Sequence, residues 1–80
     1  MIDSDPIDRI SAAIMDYLAI RPQAADSLEG IHHWWINWAG REAPLEMTQL
    51  ALESLAAKGQ LQVRLLAGRE IWSRAPAKQG

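Results

Sequence analysis

The stretch from Pro44 to Arg74 constrains the chain most, because it demands a helix and a hairpin in immediate succession. Pro44 suits a helix start, and Leu45, Thr48, Ala51, Leu52 and Leu55 then share one helical face. Lys58-Gly59 ends the helix, and the period changes from helical to two. Leu61, Val63 and Leu65 alternate with Gln62, Arg64 and Leu66, as in a half-buried strand. Ala67-Gly68 permits a tight turn, and Glu70-Ile71-Trp72-Ser73 returns as a short strand. Trp72 is expected over the helices, because a two-stranded hairpin needs such packing to be stable.

Two helical segments precede this unit. Asp5 can cap the first, with Pro6 at the first helical position and Asp8 near the positive end of the dipole. Ile7, Ile10, Ile14, Tyr17 and Leu18 form its buried stripe, and Arg21-Pro22 closes it. Met15 and Ile20 lie off the stripe, so at least one must pack against a loop or stay exposed. The second helix opens at Asp26-Ser27-Leu28-Glu29, where Asp26 reads as the cap and Glu29 answers three residues later. It is expected to run to about Trp38, with Leu28, Ile31, Trp34, Trp35 and Trp38 on one side and Glu29, His33 and Asn37 on the other. Gly30 weakens it by ~1 kcal/mol relative to alanine and fits either a close approach by a neighbouring backbone or a plain surface position. Gly40 supplies a left-handed terminator before the turn Arg41-Glu42-Ala43.

Eighty residues allow one small core, here assigned to residues 5 to 74, with residues 1–4 and 75–80 as flexible termini. The chain has no cysteine, hence no disulfide, thiolate metal site or thiol nucleophile. The start, Met1-Ile2-Asp3-Ser4-Asp5, lacks a signal-peptide pattern, and no apolar stretch approaches the ~20 residues that span a bilayer. These features predict a soluble, cytoplasmic protein without a membrane partner. The net charge of −2 hides an asymmetry. Up to Ala57, three arginines face nine carboxylates, a balance of −6; from Lys58 onward, five cations face Glu70 alone, a balance of +4. A polyanion would be repelled by the helices and attracted only to the hairpin and tail.

The order of three helices and a hairpin resembles a winged helix-turn-helix domain over about residues 5 to 74. The most specific piece is Ala51-Leu52-Glu53-Ser54-Leu55-Ala56-Ala57-Lys58-Gly59-Gln60-Leu61, similar to the recognition-helix ending and first wing strand of many bacterial regulators. The resemblance implies a mainly α fold with a small antiparallel β-hairpin, the wing. It also implies that the exposed face of the third helix meets DNA. Here that face carries Glu46, Leu50 and Glu53, with Met47 at its margin, where relatives place basic or small polar residues.

Two functional readings follow. In the favoured one, the chain is a non-enzymatic module that binds a protein partner or a second copy of itself through Glu46, Met47, Leu50 and Glu53 of the third helix and Trp34 of the second. Tryptophan is enriched among interface hot spots. In the alternative it is a DNA-binding regulator, with Arg41, Arg64, Arg69 and Arg74 on phosphates and Gln49 at a base edge. No catalytic constellation, cofactor motif or small-molecule site is evident. His32 and His33 are adjacent, so on a helix they diverge by about 100° and cannot chelate one ion together, and Glu29 with His32 lacks the second copy and further glutamates that carboxylate-bridged sites need unless the chain dimerises. No metal site is therefore expected.

Overall fold

The computed structural model describes residues 5–76. Three α-helical segments, a π-helical stretch and three strands follow in the order α1 (Pro6–Ile20), β1 (Ala25–Asp26), α2 (Leu28–Gly30), the π-helical stretch (Ile31–Trp35), α3 (Leu45–Ala57), β2 (Leu61–Leu66) and β3 (Arg69–Arg74). The strands form one antiparallel sheet in the order β1-β3-β2. This is a mainly α architecture with a small sheet, and it is winged-helix-like. No helix among the described residues is long and apolar enough to cross a membrane.

α1 begins as its sequence dictates: the Asp5 carboxylate accepts from the Ile7 N–H at 2.8 Å, and Pro6 follows. Ile10, Ile14 and Leu18, four residues apart, are buried. Tyr17 lies flat against Trp35, ring centroids 4.6 Å apart, with the Arg21 guanidinium over its ring at 5.5 Å. Ile20 is exposed, whereas Met15 packs against the core.

The second helix departs from expectation at both ends. Its cap is Ser27, whose hydroxyl accepts from the Gly30 N–H at 3.2 Å; Asp26 instead accepts from the Ser27 N–H at 2.8 Å and pairs with Trp72 in the sheet. Asp26 is held in β1, so it serves the residue that caps. A Cβ on Gly30 would collide with the Asp26 carboxylate, so the close neighbour there is a side chain. The helix also ends early: after the π turn, Ile36 is extended at φ −115 and ψ 128. Continued to Trp38, the helix would turn Ile36 about 140° away from Ile31. Breaking it buries both isoleucines and leaves Trp34 outside.

α3 buries Thr48, Ala51, Leu52 and Leu55. It ends in a Schellman motif, with Gln60 N–H on the Leu55 carbonyl at 2.9 Å and Gly59 N–H on that of Ala56 at 3.0 Å. Leu61 and Trp72 carry the hairpin's contribution to the core. Val63 and Leu65, expected to be half-buried, are exposed, as is Leu66; along β2 full burial stops at Leu61. The tail keeps one further bond, from Ala75 N–H to the Gln60 carbonyl at 3.0 Å, while residues 1–4 and 77–80 lie outside the described residues.

Candidate functional site

The side chains singled out by sequence do not form one surface. Thr48 points at the π turn, and Leu50 sits two residues, about 200°, further round α3. Trp34 and Leu50 therefore belong to different sides of the molecule. Leu50, Glu46 and Glu53 are exposed; Met47 packs against the core and offers little of itself to solvent. Gln49 donates to Glu53 at 3.1 Å, so the amide proposed for a base edge is engaged by a carboxylate.

The hairpin register separates the arginines in the same way. Leu61, Val63 and Leu65 pair with Arg74, Trp72 and Glu70, and this face meets the helices at Leu61 and Trp72. Arg64 and Arg69, opposite Ile71 and Leu66, share the other face. Arg74 lies beside Met15 and Leu18 of α1, and Arg41 lines a groove with Arg9, Ile10 and Trp38. By register Arg64 and Arg69 share one face, while Arg64 and Arg74 line a groove together with Gln62, Ile71 and Ser73.

A cluster that sequence reasoning passed over lies at the π turn. His32 is 2% exposed, and both ring nitrogens are engaged: Nδ1 with the Thr48 hydroxyl at 2.7 Å, Nε2 with a Glu42 carboxylate oxygen at 2.6 Å. His33 Nδ1 lies 4.0 Å from that same oxygen. Trp38 walls the cluster, its ring 4.7 Å from that of His32 and its Nε1–H donating to the His32 main-chain carbonyl at 2.7 Å. That bond satisfies a carbonyl which the end of the helix leaves unpaired.

Several local choices assemble this group. The π turn carries both histidines, the buried face of α3 supplies Thr48, and the turn at Ala39-Gly40 sends the chain back past His32 so that Glu42 lands between the rings. Ala39 and Gly40 are both left-handed (φ 52 and 82), with Arg41 N–H on the Trp38 carbonyl at 2.9 Å. The returning loop sets one Glu42 oxygen 2.6 Å from His32 Nε2 and 4.0 Å from His33 Nδ1. One signal was available in the sequence: a histidine directly after Ile31, itself on the apolar arc, needs polar partners if it is buried.

Comparison with known proteins gives no further guide. No protein-family model, curated protein or solved structure matches the chain. Its functional reading rests on its own residues.

Proposed function

We propose that the chain is a non-enzymatic module of winged helix-turn-helix type that binds a protein partner or a second copy of itself. The observation that carries this reading is Trp34. It is 79% exposed in a chain whose other described tryptophans are half-buried or buried, and it extends from a π turn anchored by Ile31, His32 and Trp35 in the core. A large aromatic held in solvent by a rigid base is the chemistry of an interface anchor. Leu50 on α3 and Leu65 and Leu66 near the hairpin tip add exposed apolar area on other sides, which supports more than one contact surface.

The competing reading, a DNA-binding regulator, draws support from Arg64 and Arg69 on one face of the hairpin. Against it stand Glu46 and Glu53 on α3, which has no Lys or Arg between Leu45 and Ala57. Each carboxylate would meet phosphate where a cation is needed.

The test combines association and DNA titration. Trp34→Ala and Leu50→Arg are expected to weaken self-association or partner recovery while circular dichroism stays native. Unchanged behaviour in both variants removes the proposal's main support. Amide NMR with a mixed-sequence duplex at low salt is expected to stay silent; salt-sensitive shifts at Arg64 and Arg69, lost in the double alanine variant, would favour the regulator.

A further inference from the structure

We propose that His32, His33 and Glu42 form a binding site for a divalent transition-metal ion, zinc by preference. One ligand atom from each of the three side chains lies within 4.8 Å of the other two. Zinc takes nitrogen and carboxylate ligands at about 2.0–2.2 Å in a tetrahedron, so its ligand atoms stand roughly 3.3 Å apart. From the present separations of 2.6 Å for His32 to Glu42 and 4.0 Å for His33 to Glu42, that spacing is reached when Glu42 draws back slightly and His33 swings inward. Both movements belong to side chains that are more than half exposed, His33 at 57% and Glu42 at 53%. The buried ring of His32 can stay where it is.

Thr48 fixes that ring in a way that suits a ligand. Metal-bound histidines usually donate the N–H of their second nitrogen to an oxygen, which sets the tautomer and the direction of the free lone pair. His32 Nδ1 faces the Thr48 hydroxyl at 2.7 Å, leaving Nε2 for the ion. A hydroxyl both donates and accepts. Thr48 can therefore serve the ring when Nε2 carries a proton for Glu42 and, by rotating, when Nε2 carries a metal instead. Binding at Nε2 takes the neutral ring in its other tautomer: the proton leaves Nε2, Nδ1 takes one up from solvent and donates it to Thr48, and the ring keeps a single N–H throughout.

The donor set chooses the class of ion. Two imidazoles and one carboxylate favour zinc and its transition-metal neighbours, whereas magnesium and calcium prefer oxygen ligands throughout. With three protein ligands and two of them open to solvent, the fourth position falls to water. A bound ion would tie the Glu42 loop to the π turn beside the exposed Trp34. The proposal does not depend on the interaction reading, because metal binding is measured on the isolated chain.

Calorimetry with zinc chloride on the apo protein, with magnesium chloride as control, tests the site. Expected is one zinc per chain, a raised melting temperature and no heat from magnesium. His33→Ala and Glu42→Gln, both at exposed positions, should keep a native circular dichroism spectrum and weaken zinc binding at least about tenfold. Cobalt should give the visible absorption of a tetrahedral centre in the wild type and lose it in both variants. Absence of zinc binding to the wild type, or binding that both variants retain at unchanged affinity, would overturn the site.

Discussion

The Trp38 indole donates to the main-chain carbonyl of His32 across 2.7 Å, so a residue that periodicity assigns to the last turn of a helix instead closes that helix from outside. This bond links the end of the π turn to the loop that delivers Glu42. Trp38→Phe keeps most of the apolar ring and removes the donor. Chemical denaturation should show a loss of about 1 kcal/mol, the usual value of one hydrogen bond. A loss within experimental error would mean that water replaces the indole without penalty.

Thr48 is fully buried, and its hydroxyl is the partner of His32 Nδ1. Thr48→Val preserves shape but leaves a buried ring nitrogen without a partner, which should destabilise the fold by about 1–3 kcal/mol. Thr48→Ser retains the hydroxyl and should lose less. A loss in Thr48→Val no larger than that in Thr48→Ser would mean that the hydroxyl contributes no more than the methyl group.

Gly30 and Asp26 are coupled through space, because a Cβ on Gly30 meets the Asp26 carboxylate. On helix propensity alone, Gly30→Ala should stabilise by ~1 kcal/mol. We expect destabilisation instead, as Asp26 must leave the Ser27 N–H it serves. In an Asp26→Ala background the same substitution should regain its favourable sign, and a double-mutant cycle measures the difference. Additive effects would show that Asp26 moves aside without loss.

The hairpin turns through Ala67 and Gly68, both left-handed at φ 54 and 78, the geometry of a two-residue turn in which Asn-Gly is preferred. Alanine pays a conformational penalty there. Ala67→Asn should raise stability by about 0.5–1 kcal/mol, seen as a higher melting temperature. A lower one would mean that the turn relaxes to another type in solution.

Trp72 is buried, and among the described residues its Nε1–H has no partner. Trp72→Phe removes that unsatisfied donor along with some bulk, so its loss should stay below about 1.5 kcal/mol, whereas Trp72→Ala should cost about 3–5 kcal/mol. Denaturant midpoints for the pair separate ring volume from the polar atom.

Local signals carried most of the architecture. Asp5-Pro6 starts α1 where the sequence puts the start, and the faces Ile10-Ile14-Leu18 and Thr48-Ala51-Leu52-Leu55 follow from spacing. Gly59 and Gly68 mark the end of α3 and the hairpin turn, since left-handed geometry suits glycine, while Ala67 adopts it against its type. The sequence by itself therefore determined the order of the helices and the hairpin and most of the core, but not the π stretch or β1, which pairs with β3 as a third strand. Tertiary structure decided what lies between: Ser27 rather than Asp26 as cap, the break after Trp35, the placing of Trp34 outside and Ile36 inside, and the meeting of His32 with Glu42 and Thr48. Those outcomes turn on competition for a small interior. Four bulky residues in succession, Trp34 to Trp35 and Ile36 to Trp38 about Asn37, cannot all face one core from a single helix. Which of them yields depends on partners ten or more residues away, information that periodicity within one segment does not contain.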